Sequence, residues 1–236
     1  MQRLPALRTV ERAPATSEPR PPRGQVYGEG GGVRVVFDVV EGTASVLAAD
    51  GKRTRSVSVP CAHDPLTPGL VAVDDAGKRA LVMGALSPHG DAWLVRVDFE
   101  REERETLHMA QGPSWVVGGF LTAPSKRGAV VLEQRLGESP RFSVIVKGKR
   151  VWRVDGMQQP CVPCALPDDV LALVVCPQPD ASTGTGPSSL CVLDLTSGTL
   201  AALCPAAGTR VRLVETGKER ALVVDGGRET VRVVLA

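Results

Sequence analysis

Residues 188–203, SSLCVLDLTSGTLAAL, set two apolar segments, Leu190/Val192 and Leu200/Leu203, on either side of a polar turn at Thr196, Ser197 and Gly198. Alternating apolar positions interrupted by Gly and small polar residues mark a β-hairpin, because successive side chains on a strand point to opposite faces. The same device recurs as DAWLVRVDFEREERETLHM at 91–109 and PRFSVIVKGKRVWRV at 140–154, with a shorter version, ASVLAADGKRTRSVSV, at 44–59.

Working outward, short runs rich in Val and Leu alternate with Gly, Pro, Asp and Ser from Val33 to the last residue, the strand-and-turn pattern of an all-β chain. The one rival to this pattern is FEREERETLHMA at 99–110, where Glu100 and Arg104 have the i,i+4 spacing of a helical ion pair. The stretch reads better as a charged hairpin tip, with Leu107 and Met109 opening the next strand. The hairpins return at intervals of roughly 40 to 48 residues, the length of one four-stranded propeller blade. A lone four-stranded sheet with two apolar faces cannot bury both, so such units must pack face to face. The predicted fold is therefore a β-propeller of about five blades, at 31–60, 69–110, 113–157, 161–206 and 209–236, with a sandwich, a barrel or an incomplete propeller as alternatives. The last blade lacks a fourth strand, and LPALRTV at 4–10 is the candidate to complete it, which would remove an open edge. Residues 1–30 read as this N-terminal strand plus a Pro- and Gly-rich arm, and 31–236 as the propeller domain. APATSEPRPPR at 13–23 favours an extended, solvated arm. GEGGG at 28–32 lacks the Gly-Lys-Ser/Thr ending of a phosphate-cradling loop and reads as a turn.

LVAVDDAGKRALVMGALSPHGDAWLVRVDFEREERETL at 70–107 resembles a WD40 or YVTN-type repeat. It has a strand, a D-x-x-G-K turn at Asp74 to Lys78, a second strand, then V-x-V-D at Val95 to Asp98 and a hairpin. In 188–203, Asp194 and Gly198 stand where such repeats place their Asp and Gly, and ETGKERALVVDGGRETVRVVLA at 215–236 supplies another turn and two strands. The chain has no Trp-Asp dipeptide and no Gly-His pair, so the hydrogen-bonded tetrad of WD40 repeats is not expected. The resemblance implies propeller architecture.

Twenty-eight Lys and Arg face 26 Asp and Glu, and a net charge of +2 sets up no field that would make nucleic acid or an anionic membrane the default partner. No stretch approaches the roughly 18 to 20 apolar residues of a membrane-spanning helix. The N-terminus lacks the apolar core of a secretory signal, so a cytoplasmic location is expected. The alternative is organelle targeting, suggested by Arg3, Arg8 and Arg12. In a reducing compartment the six cysteines, Cys61, Cys161, Cys164, Cys176, Cys191 and Cys204, stay thiols.

Cys161-Val-Pro-Cys164 has the spacing with which two thiolates grip zinc, yet no second such pair or nearby His completes the set, and strand geometry would send the two cysteines to opposite faces. Buried structural thiols and no cofactor are expected, with structural zinc as the weaker alternative. His63, His89 and His108 lie far apart and read as surface residues. Asp74, Asp75, Asp168, Asp169 and Glu215 fall near predicted strand ends, where a glycan hydrolase could use them. Only 3% of the chain is aromatic, too little for sugar-stacking platforms, and turn chemistry accounts for both Asp pairs. Lys147, Lys149, Arg150 and Arg153 cluster around Trp152, a set that could contact phosphates and stack on a base. The expected function is a non-enzymatic scaffold or subunit that binds another protein, through Trp115 and this basic hairpin: Lys147, Lys149, Arg150, Trp152 and Arg153. A glycan hydrolase and a nucleic-acid-contacting subunit are the alternatives.

Overall fold

A computed structural model describes residues 7–15, 24–60, 69–85, 91–112, 114–121, 128–135, 140–159, 161–178, 186–217 and 219–235. These residues are all-β, with 21 strands and no helix. Strand β1 (Leu7–Pro14) precedes a first meander of β2 (Gln25–Gly30), β3 (Val33–Asp38), β4 (Thr43–Leu47) and β5 (Arg53–Ser58). The second comprises β6 (Leu70–Val73), β7 (Arg79–Ala85), β8 (Ala92–Asp98) and β9 (Glu103–Ala110), and the third β10 (Ser114–Phe120), β11 (Ala129–Arg135), β12 (Arg141–Val146) and β13 (Lys149–Asp155). The fourth holds β14 (Met157–Gln158), β15 (Cys164–Leu166), β16 (Val170–Cys176), β17 (Ser189–Asp194) and β18 (Leu200–Pro205); β19 (Arg210–Thr216), β20 (Glu219–Asp225) and β21 (Glu229–Leu235) follow.

The sheets pair as the repeats foretell: four meanders in chain order, and a fifth ordered β1-β21-β20-β19. They are the five blades of a β-propeller. The N-terminal strand does complete the last blade, in antiparallel register from Leu7 opposite Leu235 to Pro14 opposite Glu229. Arg12 pairs with Glu229, and Arg232 pairs with Glu11 at 3.1 Å.

The chain divides into two compact units, one built on β2 to β10 with residues 131–135, the other on β12 to β21 with β1. In the first, Val35, Phe37, Val71, Ala80, Val82 and Val95 share one core, and Phe37 meets Trp93 edge to face with ring centroids 5.7 Å apart. In the second, Ala172, Val174, Leu190 and Val192 pack with Val211, Leu222, Val224 and Val233. Middle strands are buried on both faces, completely so in β16. That is why LALVVC and ALVV read as unbroken apolar runs, whereas the outermost strands β5, β9 and β13 are mostly exposed.

Three local differences from the sequence reading have physical causes. GEGGG is not a turn throughout: Gly28 and Gly30 lie in β2, and only Gly31-Gly32 turn the chain. A β-carbon on Gly28 would sit 2.7 Å from the Val71 carbonyl oxygen, and one on Gly30 2.7 Å from that of Val73, so both glycines let β2 run close against β6. Sheet structure accordingly begins at Gln25, ahead of position 31. The first strand of the fourth blade is split in two, β14 opposite Val175 and Cys176 and β15 opposite Val170 to Ala172. Between them Val162 leaves the sheet and bonds β19 instead, donating to Thr209 O at 2.8 Å and accepting from Val211 N at 2.9 Å. Finally, the outermost pairing of all five blades carries a register shift, between Val46 and Leu47, Leu94 and Val95, Val144 and Ile145, Leu190 and Cys191, and Leu7 and Thr9. One extra residue there bends the outer strand and increases its twist.

Candidate functional site

The basic hairpin stands as read: β12 and β13 are joined by Lys147-Gly148 alone, with φ of 51° and 72°. Two positive φ values give the two-residue turn whose twist matches that of the flanking strands. Gly148 adopts the conformation freely, whereas Lys147 holds it at a cost of about 1 kcal/mol. Other hairpins use a different device. Asp98 Oδ1 accepts the amides of Glu100 and Arg101, both at 3.1 Å, and Asp194 Oδ1 accepts those of Thr196 and Ser197 at 2.7 and 3.3 Å. Burial alone would raise both carboxyl pKa values; these amides, with Arg79 beside Asp98 and the Ser197 hydroxyl on Asp194, hold them below the usual range. The repeat aspartates are thus turn caps, and the β12–β13 hairpin has Lys147 and Gly148 in their place.

Lys147, Lys149, Arg150 and Arg153 are all exposed. Among the described residues none of the four enters an ion pair, while several charges of other outer strands are matched. Arg53 of β5 bonds Asp38 and Glu41 at 3.2 and 2.9 Å, Glu105 of β9 bonds Arg96, and Glu11 and Arg12 of β1 bond Arg232 and Glu229. Asp155, the one carboxylate of β13, is taken by Arg141 at 2.5 Å. Register brings two of the cations together. Val144 faces Trp152 but Ile145 faces Arg150, so Val151 is the extra residue of the bulge, 41% exposed. Strict alternation would put Arg150 and Arg153 on opposite faces; the bulge puts both on the face of Ser143 and Ile145.

Trp152 is half-buried and engaged. Its Nε1–H donates to the Leu195 carbonyl at 2.9 Å, and its ring lies over Gly198, where a β-carbon would come within 2.7 Å of Cδ2 and Cε3. Trp115 is half-buried in β10, the first strand of the same sheet.

The cysteines sit where small apolar residues do. Cys161 is buried in the break before β15, and Cys164 opens that strand half-buried, with its thiol 3.5 Å from the Ala165 carbonyl. Burial pushes the Cys161 thiol far up, and pushes Cys191 up to about 12 with Cys204 and Cys176 adding to it. Among the described residues no three His, Cys, Asp or Glu side chains converge as metal ligands. Tetrahedral zinc needs four donors, and this pair offers two. Cys61, His63 and His89 lie outside the described residues.

Asp74 Oδ1 accepts the amides of Lys78 and Arg79 at 2.8 and 3.1 Å, closing the β6–β7 turn. Asp168 and Asp169 form the β15–β16 turn with φ of 64° and 58°, and Glu215 pairs with Arg220 at 3.0 Å. His108 is not a surface residue. Its ring is 17% exposed, and Nε2 lies 2.7 Å from Oε2 of Glu133, a carboxylate 6% exposed that also meets Arg135 at 3.3 Å. Residues 25 apart on different blades give no local spacing by which a sequence could reveal this pair.

No family model matches the chain, and no curated protein matches it in sequence. Solved structures do. TolB from Acinetobacter baumannii is similar with a TM-score of 0.50 at 14% identity, over 88% of this chain and 53% of that one, so this chain spans about half the length of TolB. A protein of unknown function from Bacteroides caccae scores 0.48 at 14% identity, covering 85% and 70%. BamB from Moraxella catarrhalis scores 0.39 at 14% identity, covering 84% and 56%. The likeness to TolB is a likeness of fold alone.

Proposed function

We propose that this chain is a non-enzymatic β-propeller that binds another protein, as a scaffold or subunit, through the cationic β12–β13 hairpin with Trp115 as a second contact. The observation that supports this reading is the uncompensated charge of Lys147, Lys149, Arg150 and Arg153 on a two-residue hairpin, whereas Arg53, Glu105, Glu11 and Arg12 of other outer strands are paired. Arg is favoured at protein interfaces because its stem packs while its guanidinium forms directed bonds. Four of the carboxylates a hydrolase could use, Asp74, Asp168, Asp169 and Glu215, stand in turns or in an ion pair.

The test compares wild type with the quadruple variant K147E/K149E/R150E/R153E as affinity baits in extract from the native source. Proteins retained by wild type and lost by the variant, with circular dichroism unchanged, are expected. An identical retained set overturns the reading.

A further inference from the structure

We infer that β13 accepts an acidic, extended peptide segment as an added strand, an inference that rests on the reading of the hairpin as the contact surface. Strand β13 ends its sheet, and among the described residues no strand pairs with its outer edge. Such an edge presents a row of backbone donors and acceptors to any extended segment. Four other blades also end in an outer strand, so charge decides between them. Outer strand β18 carries no charged side chain, β1 is matched on both of its described charges, and β5 and β9 mix matched pairs with few free cations. Only β13, among these, combines an edge with three cations, Lys149, Arg150 and Arg153, that meet no carboxylate among the described residues, with Lys147 a fourth in the turn before it.

The bulge at Val151 sharpens the pattern. It puts Arg150 and Arg153 on one face, while Trp152 and Val154 share the other with Phe142 and Val144. A strand laid beside β13 therefore meets Arg150 and Arg153 on one face and, beyond Lys149 at its start, Trp152 and Val154 on the other. Its complement alternates acidic and β-branched residues, since opposite charges on neighbouring strands stabilise pairing and like charges oppose it. The same charges disfavour a second copy of this chain, whose own β13 would bring Arg and Lys against Arg and Lys. Single-stranded nucleic acid shares the charge but needs an open ring to stack on. Trp152 has one ring face on Gly198 and its N–H on Leu195.

The probe is a synthetic nine-residue peptide alternating Glu with Val and Thr, read by fluorescence anisotropy at low salt. Four comparisons accompany it: a Lys-for-Glu peptide, a version N-methylated at alternate amides along one edge, oligothymidylate of equal charge, and the protein variant R150E/R153E. Binding of the acidic peptide is expected to weaken at least about tenfold on charge reversal of the protein and about tenfold on N-methylation, with the Lys peptide silent. Amide hydrogen exchange should slow in β13 when peptide is bound. Equal affinity for the N-methylated peptide, or tighter binding of oligothymidylate, overturns strand addition. If charge reversal still abolishes capture of native partners in that case, the hairpin stands as the contact surface and only the mode falls. Peptide affinity indifferent to R150E/R153E overturns the inference outright.

Discussion

Replacing Gly198 with Ala isolates how one blade is held to the next. Position 198 has φ of 74°, a left-handed conformation that costs an Ala about 1 kcal/mol. The new β-carbon would also lie 2.7 Å from Cδ2 and Cε3 of Trp152, against roughly 3.5 to 4 Å for a relaxed carbon contact. The ring must withdraw by about 1 Å, which breaks its 2.9 Å bond to the Leu195 carbonyl. Losing that bond at a half-buried site costs about 1 to 2 kcal/mol. G198A is therefore expected to destabilise by about 3 kcal/mol, lowering Tm by about 6 to 12 °C in a chain of this length. Gly148 is the control: its φ is 72°, yet nothing lies within 4 Å of an added β-carbon, so G148A should cost only the backbone strain, about 1 kcal/mol. Urea unfolding followed by circular dichroism measures both. In a W152A background the clash has no partner, and G198A should fall to the cost of G148A, a coupling of about 2 kcal/mol. A coupling within about 0.5 kcal/mol of zero, or equal costs for G198A and G148A, refutes the seating of Trp152 on the neighbouring turn.

Three further outcomes follow from the fold. The depressed carboxyls of Asp38, Asp98 and Asp194 contribute stability that is present above the unfolded value near 4 and is lost as pH falls through the folded one. The urea midpoint should hold between about pH 5 and 7 and drop below about pH 4, and the D98N/D194N double variant should drop less steeply. Burial of Cys191 acts at the other end: with its pKa pushed up to about 12, the stability it contributes is complete below the unfolded thiol value near 8.5 and declines as pH rises above that. C191A should flatten the alkaline limb, and iodoacetamide at pH 8 should modify half-buried Cys164 and Cys204 before buried Cys191, as peptide mapping will report. Removing residues 1–12 strips β1 from β21 together with the Arg12–Glu229 and Arg232–Glu11 pairs, so Tm should fall by several degrees. An unchanged melt would mean that β21 is stable at an open edge.

The turns within blades were legible because each rests on local chemistry. Asp98, Asp194 and Asp74 announce turns by residue type, and the turns lie where those residues stand, since a short carboxylate can accept the very amides that a tight turn leaves unpaired. The missing strand at the N-terminus was legible for a different reason: three strands where four recur leave an unpaired edge, and only one apolar segment remained to fill it. What escaped notice depends on approach between segments distant in sequence. Gly28 and Gly30 look like a flexible loop until β6 lies against them, and CVPC looks like strand until Val162 finds β19. His108 looked like surface because its partner, Glu133, is on another blade.

The candidate surface divides along the same line. That 147–153 is a cationic hairpin can be read from residue types, but whether a cation is available to a partner depends on which carboxylates the fold brings beside it. Arg53 and Arg150 are indistinguishable by local composition, each in an outer strand beside small or apolar residues. The fold gives Arg53 both Asp38 and Glu41, and Arg150 neither. The bulge adds a second property invisible to a period-two reading, because one extra residue at Val151 reverses the face of everything before it. Arg150 and Arg153 converge only through that irregularity. Inserting one Ala between Val144 and Ile145, opposite Val151, should restore strict alternation in β13, return Arg150 to the face of Trp152, and weaken acidic-peptide binding while all four cations remain. An insertion variant that folds and binds the peptide unchanged would show that charge alone, without the register that aligns it, makes the surface.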